Sequence, residues 1–225
     1  MRVIKMGSHT TRNSRRGAVA LAVLALTSLA ATLGTTSVAS AGDHAVDPST
    51  LTPPPPAEFN PVCKSVGERT ICDVVFTDPA VVAEPTGIAC GTGSASFEIL
   101  ASWTRSVQGK RYYDRNGNLT ERHFHDLVVG TYTNPLTGAS VSFRQHDTNL
   151  HDLAVPGDIS TGTEAITVWT RVAGPHGGTV LIDAGRVVVA ESDGTILFEA
   201  GQHPFDAYFV LGDTSALQPL CDALA

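Results

Sequence analysis

Alternation with a period of two, interrupted by turns rich in glycine and asparagine, constrains this chain more than any other feature. In 96–107, Phe97, Ile99, Ala101 and Trp103 fall on one side and Ser96, Glu98, Ser102 and Thr104 on the other, with Leu100 as the exception. Residues 164–172 set Ile166, Val168 and Val172 against Thr167, Trp169 and Arg171, and Val141 and Phe143 oppose Ser140, Ser142 and Arg144. Successive side chains of a strand point to opposite faces, so these segments are strands with one buried and one wet face. Between the strands stand Asn116-Gly117, Asn134-Pro135-Leu136-Thr137-Gly138, Pro175-His176-Gly177-Gly178, Asp183-Ala184-Gly185 and Ser192-Asp193-Gly194. Their Gly and Asn residues accept the positive φ of tight hairpins. The expected fold is all-β, an antiparallel meander. With about eight strands or a few more, closure into an up-and-down barrel removes the exposed edges.

Two strands need more than one covered face. Val180-Leu181-Ile182 and Val187-Val188-Val189 are apolar on both sides and call for cover outside the sheet. The end of the chain offers it: Leu217, Leu220 and Leu224 lie at helical spacing, with Ser215 placed as a cap, which predicts a short C-terminal helix. Dimerisation through the same strands is the competing cover, so monomer and homodimer both stay open. Residues 42–60 contain Pro48 and Pro53-Pro54-Pro55-Pro56. That composition favours an extended linker or loosely ordered arm before a single domain over 61–225.

Residues 1–41 hold five basic residues and no acidic one. Arg15-Arg16 precedes the apolar run 18–26, and Ala39-Ser40-Ala41 supplies an A-x-A cleavage pattern, so the segment is expected to be a secretory signal cut after Ala41. Ser14-Arg15-Arg16-Gly17 resembles a twin-arginine export motif. Thr27, Ser28, Thr32, Thr35 and Thr36 dilute the apolar stretch, which leaves too few apolar residues for a span of about 20. The protein is therefore expected to be secreted or associated with the cell envelope, with no integral membrane span once the signal is gone. In that oxidising setting Cys63, Cys72, Cys90 and Cys221 should form disulfides. Four cysteines allow three pairings. The short Gly-containing stretch between Cys63 and Cys72 suits a local bridge, which leaves Cys90 for Cys221. The paired C-x-x-C spacing of a zinc site is absent.

Beyond residue 41 there are 10 basic and 22 acidic side chains. Nucleic acid is not an expected partner, because such binding needs clustered Lys and Arg. Chemistry concentrates at His123-Phe124-His125, with Glu121 and Asp126 beside it. On a strand, His-x-His points two imidazoles the same way, which makes His123 and His125 candidate metal ligands. A two-residue turn at Asn116-Gly117 would pair Lys110 with His123, Tyr112 with Glu121 and Arg111 with Arg122. Facing arginines prefer water, so the Arg111 face is expected outside and the face of Tyr112, Glu121 and His123 inside; those three are the candidate catalytic residues. The competing expectation, which the residues favour, is that both faces are wet and the histidines are surface groups. Residues 146–152 form a second His/Asp cluster, expected in a loop. No G-x-S-x-G elbow occurs, and 91–94 lacks the Lys of a phosphate loop. No cofactor is expected.

Gly117 followed by His123-x-His125 is similar to the opening of the cupin metal motif, but Val129 or Gly130 stands where that motif has Glu. More of the chain resembles a group of uncharacterised secreted bacterial proteins, through 111–114, 130–135, 198–204 and 220–224. That resemblance implies an exported, disulfide-linked β domain and carries no activity. A barrel of about eight strands, like those of lipocalins or allene oxide cyclases, has room for one small ligand. The function expected is therefore a secreted, non-catalytic β-barrel module binding a small apolar or amphipathic ligand. The alternatives are a barrel enzyme, isomerase- or cyclase-like or cupin-like, and a purely structural or interaction protein of the envelope. N-terminal sequencing of the exported protein should begin at Gly42; a start upstream of the apolar run would exclude a cleaved signal.

Overall fold

The strands appear where the alternation places them. The computed structural model describes residues 44–225, and the expected signal with its cleavage point lies outside the described residues. Ten antiparallel strands follow: β1 (Ala45–Val46), β2 (Val62–Val66), β3 (Arg69–Thr77), β4 (Val81–Cys90), β5 (Phe97–Tyr113), β6 (Leu119–Thr133), β7 (Ser140–Leu153), β8 (Gly162–Ala173), β9 (Thr179–Ala190) and β10 (Ile196–Gln202). Two short helices close the chain, α1 (Pro204–Phe209) and α2 (Gln218–Leu224). The sheet runs β1-β2-β3-β5-β6-β7-β8-β9-β10, with β4 also on β5. Strand β5 is 17 residues long, and two strands share one of its edges: β3 along 106–113 and β4 along 97–103.

This sheet must curl. From β4 to β9 there are five inter-strand steps, about 24 Å if flat. Yet α1, six residues and about 9 Å long, touches both ends. The Phe205 N–H donates to Asp183 Oδ2 on β9 at 3.4 Å, and the Ala89 N–H of β4 donates to the Tyr208 hydroxyl at 3.0 Å. The curl stops short of closure. Among the described residues β10 pairs only with β9, so the closed barrel expected from the hairpin count is not formed. His203-Pro204 turns the chain out of β10, because proline brings no N–H to a ladder, and α1 then spans the gap that a closing strand would fill.

Helix α2 and the 3-10 turn Thr214–Leu217 that leads into it fill the inside of the curl. Leu217, Leu220 and Leu224 are each 0% exposed and pack with Ile88, Phe97, Ile99, Val141, Phe143, Val172 and Leu181. Burying each leucine contributes roughly 1.5–3 kcal/mol. The inner face of Val180-Leu181-Ile182 is thereby covered through Leu181, while Ile182 on the other face stays exposed. Asn134 donates from Nδ2 to the Leu224 carbonyl at 3.0 Å, fixing the helix end. Both bridges are present, Cys63–Cys72 between paired positions of β2 and β3, and Cys90–Cys221 between β4 and α2.

Four local expectations change. From residue 45 onward the proline-rich segment is held to the sheet instead of running free. Thr52 exchanges backbone hydrogen bonds with Gly117 and Leu119 at 2.8 Å, Leu51 is 5% exposed, and Phe59 packs on Phe76 with ring centroids 5.2 Å apart. Asp183-Ala184-Gly185 lies inside β9 and 146–152 inside β7. Gly185 marks close packing here, because a methyl group at its Cα would overlap the His203 ring. The turn after β5 is longer than two residues: Asp114 accepts from the Asn116 and Asn118 N–H groups at 2.8 Å, and a bulge falls between Tyr112 and Tyr113.

The Cys90–Cys221 bridge spans 131 residues and Cys63–Cys72 nine. On the chain-entropy account the long closure stabilises by about 5 kcal/mol and the short one by about half as much. In urea unfolding, Cys90→Ser with Cys221→Ser should therefore lose about twice the free energy lost by Cys63→Ser with Cys72→Ser. Equal losses would contradict this account.

Candidate functional site

The hairpin β5–β6 pairs Lys110 with His123, Tyr112 with Glu121 and Arg111 with Arg122. Its faces are the reverse of the inward assignment. Arg111 is 4% exposed and Tyr113 fully buried, whereas His123 and Glu121 are about a third exposed. Tyr112, Glu121 and His123 do come together, with Tyr112 and His123 ring centroids 4.9 Å apart and His123 Nε2 3.6 Å from Glu121 Oε2. They do so on the outer face. His125 points the same way and meets Thr148 Oγ1 at 3.2 Å. Among the described residues no group of three or more His, Cys, Asp or Glu side chains is placed to hold a metal ion.

The polar chemistry of the inner face lies in rows across the strands. The upper row is Arg111, Arg122, His151 and Glu164, consecutive partners on β5, β6, β7 and β8. Glu191, just after β9, reaches back over Gly162, the one residue that leaves its carboxylate room. Arg122 donates to both Glu191 oxygens at 2.6 and 2.7 Å, and His151 places Nδ1 2.6 Å from Glu191 and Nε2 3.3 Å from Glu164. Arg111 donates to the Tyr113 hydroxyl at 2.8 Å and to the Pro53 carbonyl at 3.3 Å. Burial pushes the Arg111 pKa down and that of Tyr113 up. Thus the facing arginines have separate partners, the proline-rich segment supplying one of them, although the charge of Arg122 still adds to the downward push on Arg111.

The lower row is carboxylate-rich. Asp126 on β6 faces Asp147 on β7, and Asp183 stands on β9 in the adjacent inner row, opposite Thr170 and in line with Gln145. Asp126 is held by Arg105, which also lies 3.5 Å from Asp78. The Gln145 amide donates to Asp147 Oδ2 at 2.6 Å. Asp126 Oδ1, Asp147 Oδ1, Asn149 Oδ1 and, in the upper row, Arg122 Nε are buried without a hydrogen-bond partner among the described residues. Burial first, and then the charges of Asp126 and Asp183, push Asp147 up to about 6 against the help of Gln145. Burial also raises Asp183, and Tyr132 beside it is pushed well above the ordinary phenol range.

Shallow depressions mark the surface of the described residues. One, of about 280 Å³, lies beside Trp103 and Val129, and another, of about 420 Å³, lies between β9 and α1 beside Leu181 and His203. Comparison with protein-family models, with curated proteins and with solved structures finds no match to this chain. The inner rows escaped sequence reasoning because facing arginines look solvated when their counter-ions lie far along the chain: Arg122 and Glu191 are 69 residues apart. A usable signal was present in Gly109 and Gly162, small residues within strands beside charged ones, which mark where other groups cross the sheet.

Asp147 yields a pH prediction. With a folded value of about 6 against about 3.9 in the unfolded chain, the folded state binds more protons between those limits. Its stabilising contribution is full below about pH 4 and is lost as pH rises through 6. Asp147→Asn should therefore raise the thermal midpoint relative to wild type more at pH 7.5 than at pH 4.5. A difference independent of pH would remove the assignment.

Proposed function

We propose that this protein is exported, is cut after Ala41 and works outside the cytoplasm as a non-catalytic β-sheet module that acts through its surface. The observation that carries this reading is the filled inner face. Leu217, Leu220 and Leu224 occupy the place where a barrel would hold a small apolar or amphipathic ligand, and the Cys90–Cys221 bridge keeps them there. Two disulfides support an oxidising compartment. No helix among the described residues is long and apolar enough to cross a membrane.

The enzyme reading asks Tyr112, Glu121 and His123 to converge in a water-excluding cavity. Their position on the outer face supports a surface role instead. A place for a small apolar ligand to sit is the depression of about 420 Å³ beside α1. Native mass spectrometry of the protein secreted by its own host separates the readings. The expected result is the mass of the bare chain, less four hydrogens for two disulfides, both before and after denaturation. A mass excess that vanishes on denaturation would overturn the surface-acting reading in favour of a held ligand.

A further inference from the structure

The two faces of the sheet carry opposite charge. Between the row of Val129 and the row of His123, the outer face of β6–β9 has sixteen positions, and none is Asp or Glu. Three are arginines, Arg144, Arg171 and Arg186, in a chain with 10 basic and 22 acidic side chains beyond residue 41. The carboxylates within these four strands lie on the inner face, as Asp126, Asp147, Glu164 and Asp183, or one row beyond on the outer face, as Glu121 and Asp152. None of the three arginines is ion-paired among the described residues, in contrast to Arg105 and Arg122.

Two of these arginines are held in place. Arg144 donates from Nε to His146 Nε2 at 2.8 Å, and Arg171 donates to Thr179 Oγ1 and to the Gly177 carbonyl at 3.0 Å. Arg144 and Arg171 are direct cross-strand partners. In the next row Trp169 pairs with His146 and stands 42% exposed, beside Ala184, which is too small to cover the indole. In the row after that, Thr167 pairs with Arg186. The outer face therefore presents one open indole with guanidinium groups on both sides along the strands, on a rigid backbone.

We propose that this face binds an acidic polysaccharide, a linear polymer of uronate-type sugars. The indole offers a flat apolar surface for the C–H face of a sugar ring, and the guanidinium groups offer forked donors to carboxylates. Charge complementarity favours a thin polymer over an anionic membrane plane. At physiological salt, fields extend only about 8 Å, so a thin chain lying along the strip meets its local positive charge. A membrane plane would also meet the acidic remainder of the molecule. The inference rests on the surface-acting reading given above and names its partner.

The test uses the chain from Gly42 onward, titrated calorimetrically with polygalacturonate, with neutral dextran as the comparison. Binding to polygalacturonate alone is expected, weakening as salt rises. Trp169→Ala and the pair Arg144→Ala with Arg186→Ala should each weaken it tenfold or more with the thermal midpoint kept. Arg115→Ala, on the exposed turn after β5, should leave it unchanged. No binding to polygalacturonate overturns the proposal, as does binding insensitive to Trp169→Ala or equally lost in Arg115→Ala. Tighter binding to single-stranded DNA or to phosphatidylglycerol vesicles, lost in the same variants, would assign the face to another polyanion and also overturn it. Failure here leaves the bare-mass result intact, whereas a ligand-dependent mass excess strikes at the surface-acting reading itself.

Discussion

A single curled sheet has an inner face and no second sheet to cover it, and in this molecule the chain's own end supplies the cover. The leucines of the C-terminal segment lie against residues from β4, β5, β7, β8 and β9, so one short segment ties together strands as far apart in the sheet as β4 and β9, which do not pair with each other. The curl, the short span of α1 and the position of the Cys90–Cys221 bridge all depend on that packing. Without the segment, the apolar end of the inner face would be open to water, and the sheet would gain little from bending.

Above the apolar end, the inner face is charged yet largely satisfied. Arg122 has Glu191, Arg105 has Asp126, and Arg111 has a phenol and a carbonyl. Buried ion pairs of this kind add little net stability, because desolvation offsets the attraction, but breaking one leaves an uncompensated charge. Their effect is on register. Sliding any of these strands by one residue would turn its inward charges away from their partners and its core-facing apolar side chains out to solvent. The rows thus specify one pairing among the several that a repetitive antiparallel meander could adopt.

Strand existence was legible because it depends on local alternation, and the β5–β6 pairings from Tyr112–Glu121 onward agree with a two-residue turn because the bulge at Tyr112 and Tyr113 offsets the longer turn that is formed. The sense of the faces was not legible. Residues 110–113 and 121–124 carry charges on both sides, and the acceptors that let Arg111 and Arg122 go inside, the Pro53 carbonyl and the Glu191 carboxylate, lie far along the chain. Closure failed to follow for a related reason. Pro204 is visible in the sequence as a strand breaker, but its consequence depends on where β4 lies in space. The candidate residues Tyr112, Glu121 and His123 were rightly seen as neighbours, since cross-strand adjacency is a local property, while their exposure is a property of the whole sheet.

The piece that completes the inner face follows in sequence every strand that it covers. Cys221 comes after all ten strands, and its partner on β4 precedes it by 131 residues. A growing chain can therefore pair hairpin after hairpin while the inner face still lacks its filling, and Cys90 meets its native partner only once the last strand has been made. Maturation of this fold thus waits on a segment beyond the sheet rather than on the sheet itself. A chain cut before Leu217 would lose its plug and its fastening at one stroke.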